Sequence, residues 1–157
     1  MELLTRPNSL APWTPGPSLL AGLREAAERS TELLLYCRSP DAERGEVPAA
    51  VWLFERCGGS AARVYAAAAC PDAEWIAAVR RSGVAGIFLA RLSRTGIVVE
   101  REVPRRICPS LHARGGAAVT FSVCGEHADR RVLADAHHAR WCLDDFERCP
   151  SRQRSDG

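Results

Sequence analysis

The sequence predicts an α/β fold built on a small, largely parallel sheet. Three observations carry that prediction. LLLYC (33–37), RVYAAAAC (63–70) and VAGIFLARL (84–92) are short, continuous apolar runs, the pattern of strands buried on both faces. Two amphipathic stretches of helical spacing separate them, and proline, aspartate and glycine sit at the junctions where helices start and stop. Strand, helix, strand, helix, strand at this spacing predicts two successive βαβ units, with right-handed crossovers, helices on both faces of the sheet and a mixed edge.

Each element follows from its residues. Residues 1–16 are proline-rich and predict an irregular arm. PSLLAGLREAAERS (17–30) places leucines and alanines at helical spacing, and LLLYC follows as the first buried strand. VPAAVWLFERCGG (47–59) opens on proline and closes on two glycines, the asymmetry of a helix with those ends. After the second strand, PDAEWIAAVRRSG (71–83) predicts a helix with Asp72 as N-cap and Gly83 just past its C-terminus. VAGIFLARL is the third strand, and TGIVVEREV (95–103) alternates like an edge strand. AAVTFSVC (117–124) predicts another strand, followed by a helix over roughly 127–146 with Val132, Ala136, Ala139 and Leu143 as its apolar stripe. The expected organisation is an irregular arm at 1–16, an α/β domain at 17–104, a four-cysteine segment at 105–150 packed on that domain, and a disordered tail at 151–157.

Composition excludes several classes of function. The chain has 157 residues, 46% of them hydrophobic, enough for one domain with a real core. Its apolar runs are all too short for a membrane helix. Prolines interrupt the N-terminal stretch where an export signal needs continuity, so a cytoplasmic location is expected. All 21 basic residues are arginine, and the net charge of +2 is too small to argue for nucleic acid. Arg101, Arg105, Arg106 and Arg114 cluster beside Cys108, as a solvated face or as positive charge that favours thiolates.

The seven cysteines are the unusual feature. Their number is odd, and a reducing compartment disfavours disulfides, which leaves metal ligation, redox chemistry or buried thiols acting as small hydrophobes. Cys37 and Cys70 end the first two strands and fall on the carboxyl edge, where open α/β sheets place ligands. Cys70 also precedes a helix, whose dipole favours a thiolate. Together the two form a candidate second thiol site; Cys57 falls at the opposite edge as a packed thiol. A phosphatase-type loop needs arginine six positions after Cys70, where Ile76 stands. No glycine-rich nucleotide loop follows any strand, and GSAAR (59–63) is too short to replace one. A Cys/His nucleophile pair could draw on His112, His127, His137 or His138, but no spacing selects among them.

Cys108, Cys124, Cys142 and Cys149 form the pattern C-P-x14-C-x17-C-x6-C-P. It lacks the paired C-x2-C knuckles of a zinc ribbon. It does supply four thiolates, the usual complement of an iron–sulfur cluster. In a continuous helix Cys142 and Cys149 stand about 10 Å apart. Joint ligation therefore requires the helix to end between them, near Asp144–Asp145. His137 and His138 read as rim histidines, with a Cys/His zinc site as the alternative; packing without metal and disulfides are the other readings of the thiols.

RVYAAAACPDAEWIAAVRRSGVAGIFLARL (63–92), with LLLYC before it, resembles the core of the small iron–sulfur subunit associated with methyl-viologen-reducing hydrogenase and heterodisulfide reductase. In that resemblance Cys37 and Cys70 correspond to two cluster cysteines. The family's second cysteine after the first strand is absent here, and LARLSRTG (89–96) replaces its later cysteine pair. Residues 108–150 are similar to small four-cysteine domains presumed to bind metal. The resemblance implies an iron–sulfur cluster and a larger oxidoreductase, or another subunit, as partner.

The leading expectation is thus a small redox or electron-transfer accessory protein with a cluster on Cys108, Cys124, Cys142 and Cys149. The alternatives are an interaction module stabilised by zinc or by packing alone, and a thiol enzyme using Cys70.

Overall fold

The computed structural model describes residues 2–5, 17–115, 120–125, 132–133 and 137–153. Expectations that fall on 6–16, 116–119, 126–131 (with His127), 134–136 and 154–157 lie outside the described residues.

Five strands form the main sheet: β1 (Glu2–Thr5), β2 (Leu33–Cys37), β3 (Val64–Ala68), β4 (Gly86–Ser93) and β5 (Gly96–Glu102). They lie side by side in chain order; β1 to β4 are parallel, and β5 returns antiparallel beside β4. The mixed α/β class and the mixed edge follow the sequence. β1 does not: the strand Glu2–Thr5 stands inside the stretch expected to be an irregular arm, paired in register with Leu33–Tyr36.

Three helices connect these strands: α1 (Pro17–Arg29), α2 (Glu46–Arg56) and α3 (Ala73–Arg81). The Asp72 side chain caps α3 by accepting the Trp75 N–H at 2.7 Å. α2 stops where Gly58 takes φ +91° and the Gly59 N–H reaches back to the Phe54 carbonyl at 3.0 Å, the glycine-terminated end that the sequence predicts.

The faces of the sheet are unequal. Leu33, Leu35 and Cys37 of β2, Val64, Ala66 and Ala68 of β3, and Ile87 and Leu89 of β4 share one core with the buried residues of all three helices, including Leu23, Phe54 and Trp75. Leu34, Tyr36, Ala67 and Ala90 point the other way, in a second cluster completed by Tyr65, Phe88 and Ile97. Among the described residues that second cluster is made only of sheet side chains, which corrects the expectation of helices on both faces. The physical reason is the strand order. When each new parallel strand is laid beside the last in one direction, connections of one hand all fall on the same face.

The C-terminal part adds a two-stranded antiparallel sheet, β6 (Leu111–Gly115) and β7 (Thr120–Cys124), with Leu111 opposite Cys124. β6 has no counterpart in the sequence reading. The expected continuous helix over 127–146 is also corrected. Val132 is exposed and makes an antiparallel bridge to Val123, and the Leu133 N–H donates to Ser122. Among the described residues of that stretch the helical backbone is His137, the π-helical turn His138–Cys142 and the start of a 3-10 turn at Phe146, and Val132 lies outside it, so Val132 and Leu143 do not share a helix face. A 3-10 turn, Phe146–Arg148, and a single helical turn, Pro150–Gln153, follow; the latter starts just before the stretch expected to be a disordered tail and runs into it.

Candidate metal centre

Four separate pieces of backbone deliver the four C-terminal cysteines. Cys108 lies in the loop after β5, Cys124 ends β7, Cys142 ends the π turn, and Cys149 precedes the last helical turn. The loop and the π turn are joined directly, because the Cys108 N–H donates to the Cys142 carbonyl at 2.9 Å. The Cys108 carbonyl in turn accepts from Leu111, the first residue of β6 and the one facing Cys124. The helix ends at Cys142; its last turns close through Leu143 N–H to His138 and Asp145 N–H to Arg140. The chain can therefore turn before Cys149, whose N–H bonds to Phe146.

All four thiols are buried: Cys108 and Cys142 at 3% exposure, Cys124 and Cys149 at 4%. Every cysteine in the chain is a free thiol. The side chains of Cys142 and Cys108 are hydrogen-bonded, and this bond pushes the Cys142 thiol far above its ordinary value. Burial pushes it the same way, as do the nearby Cys108, Cys124 and Cys149. Cys142 is thus the thiol whose ionisation the other three oppose. His137 Nε2 stands 3.7 Å from Cys149 Sγ, which brings one of the supposed bystander histidines to the edge of the group. No spacing pointed to His137: it precedes Cys149 by twelve residues and meets it because the chain turns between them.

Among the described residues, no three His, Cys, Asp or Glu side chains stand close enough together to hold a metal ion. Cys108 and Cys142 form a thiol pair in direct contact. Two thiols in contact are a donor pair for a thiophilic metal, and a bound cation would remove the mutual opposition to ionisation that raises Cys142.

The arginines near Cys108 have other partners. Arg106 pairs with Glu147 at 2.7 Å and Arg114 with Asp41 at 3.8 Å. Arg101 donates to the carbonyls of Ala139 and Leu143, each at 3.4 Å. These contacts tie the C-terminal segment to itself and to the sheet.

The second expected thiol pair lies at the carboxyl edge, where Cys37 pairs in register with Ala68, two residues before Cys70. Cys37 points into the helix-covered core, and its Sγ meets the buried Glu43 carboxylate at 3.6 Å. Burial, then the charge on Glu43, push the Cys37 thiol far above its ordinary value. A group so held is a neutral core thiol and a poor nucleophile. Cys70 is half-buried and lines a cavity on the far side of that edge, so the two cysteines serve different surroundings. Cys57 is the C-cap of α2, half-buried as a thiol at the end of that helix.

Asp72 organises the same edge. It is 1% exposed, caps α3, takes both guanidinium nitrogens of Arg44 at 3.2 and 2.9 Å, and accepts the Ala113 N–H of β6 at 3.3 Å. One carboxylate thus binds the loop after β2, the start of α3 and the C-terminal hairpin.

Comparison with known protein families, with curated proteins and with solved structures finds no match for this chain. Among the described residues no helix is long and apolar enough to cross a membrane.

Proposed function

We propose that Cys108, Cys124, Cys142 and Cys149 are the ligands of an iron–sulfur cluster and that the chain is a small redox accessory protein, passing electrons to a larger oxidoreductase on which it docks. The observation that supports this reading is that four buried thiols come from four separate segments, Cys108 bonded to Cys142 and Cys124 and Cys149 near enough to raise its pKa. A set of four cysteines is the ordinary protein complement of such a cluster, which when bound supplies one-electron chemistry. The chain's own contribution is to exclude water from the sulfurs, and to fix two of the four ligand segments through the Cys108–Cys142 backbone bond. His137 is placed to donate a hydrogen bond to the Cys149 sulfur, the kind of outer contact that tunes a metal–thiolate centre.

A second reading, a closed zinc site that holds the C-terminal segment, is favoured by a specific observation. Cys108 and Cys142 are in hydrogen-bond contact, as two ligands of a single metal ion would be neighbours, and His137 beside Cys149 widens the donor set to cysteine and histidine.

Metal analysis of protein purified without oxygen separates the two. Iron with matching inorganic sulfide and a visible absorbance bleached by dithionite supports the cluster. Stoichiometric zinc in colourless protein supports the second reading. Protein that holds neither metal, and whose stability is unmoved by Cys142→Ser, defeats both.

A further inference from the structure

A cavity of about 380 Å3 lies between the carboxyl edge of the main sheet and the C-terminal segment. It is lined by Cys70 from the loop after β3, Arg91 of β4, Glu100 and Arg101 of β5, Ser122 of β7 and His138 of the π turn. This is the place where open α/β sheets receive ligands, and the volume falls in the range of small-molecule sites. None of its walls comes from the four cysteines of the candidate metal centre, although His138 and Leu143 flank Cys142 in the same turn.

The charges in the wall are unequally neutralised. Arg91 Nε is paired with Glu100 at 3.0 Å, and the two charges cancel. Among the described residues Arg101 has as its acceptors the neutral carbonyls of Ala139 and Leu143, both at 3.4 Å, near the outer limit of a hydrogen bond. A carboxylate is a far better acceptor for a planar guanidinium, which it can take two-pronged. The Ser122 hydroxyl and the His138 ring, each largely buried, add polar groups to the wall. Cys70 adds a half-buried thiol to the lining.

We propose that this cavity binds a small organic monoanion through its carboxylate, with Arg101 as the anion-binding residue and the Cys70 sulfur facing the bound molecule. Among the described residues the wall carries one positive charge with no carboxylate partner, which suits a monoanion in preference to a dianionic phosphate.

The site can be probed by alkylating the native full-length chain and mapping the labelled peptides. Iodoacetate carries the carboxylate and iodoacetamide is its neutral counterpart; the ratio of their rates at Cys70 is compared with the same ratio for a small free thiol. The cavity raises that ratio roughly tenfold at low ionic strength, and salt diminishes the effect. Arg101→Gln abolishes the preference. Glu100→Gln, which releases Arg91, increases it, and this opposite change keeps the test decisive if Arg101→Gln loosens the C-terminal segment. Added acetate protects Cys70 from iodoacetamide better than inorganic phosphate does. A ratio equal to that of the free thiol, a ratio indifferent to both substitutions, stronger protection by phosphate, or no labelling of Cys70 in the native chain overturns the proposal.

Discussion

Cys37 shows how far position along a strand is from a chemical role. As the last residue of β2 it sits at the edge where ligands bind, yet its side chain falls on the helix-covered face beside Glu43 and remains protonated. That environment has a consequence for pH. The folded thiol titrates above the unfolded one, so between the two values the native state holds a proton that the unfolded chain has released. The contribution of Cys37 to stability is therefore complete below the unfolded thiol's pKa and declines as pH rises past it. Relative to Cys37→Ser, the wild-type chain should lose about 1.4 kcal/mol per pH unit above about pH 8.5, measured by urea unfolding across pH. The sequence made Cys37 and Cys70 look alike because strand ends are legible in apolar runs. Which face each thiol takes depends on register and on the path of the chain beyond the strand, and no local pattern records that. His137 escaped for a related reason, since its neighbour Cys149 is reached only after the chain has turned.

Elements whose information is local were legible. β2 spans the residues of LLLYC, and α3 lies between its aspartate cap and its glycine stop, because apolar runs, caps and terminators act within a few residues. The terminator of α2 can be tested directly. A Cβ on Gly59 would meet the Phe54 ring at 2.4 Å, so Gly59→Ala must displace a fully buried aromatic. It should cost about 1–3 kcal/mol, read as a lower urea midpoint with unchanged slope. β1 and β6 were not legible: ELLT is four residues long before a proline-rich stretch, and LHARG mixes apolar with charged residues and is a strand only because β7 lies beside it. What joins β6 to the sheet is again non-local, the Asp72 carboxylate. Asp72→Ala removes the helix cap and leaves Arg44 and the Ala113 N–H without that acceptor, at a cost of about 3 kcal/mol. Asp72→Asn keeps an acceptor for the cap and should cost less; equal losses in the two variants would mean that the ion pair with Arg44 carries the effect.

Across the whole molecule, the strand order decides what the helices cover, and the C-terminal segment depends on a narrow set of anchors. Among the described residues, its buried members of the main core are Cys108, Leu111, Cys142 and Leu143, with Ile107, Leu133 and Phe146 packed at the margin; the sheet and the three helices supply nearly all the rest. Two of those four anchors are candidate ligands. The ion pair Arg106–Glu147 is exposed on both sides and worth at most about 1 kcal/mol. Held by so little apolar surface, the segment should open more easily than the sheet unless its thiols are bridged. Hydrogen exchange on metal-loaded and metal-stripped protein measures this. Stripping should speed exchange of amides such as those of Cys108, Leu143 and Cys149 by about a hundredfold or more, a loss of about 2.7 kcal/mol, while β2, β3 and α3 keep their protection. Equal loss across sheet and segment would show instead that the two unfold as one unit, and that the shared core, not the thiols, holds the C-terminal segment in place.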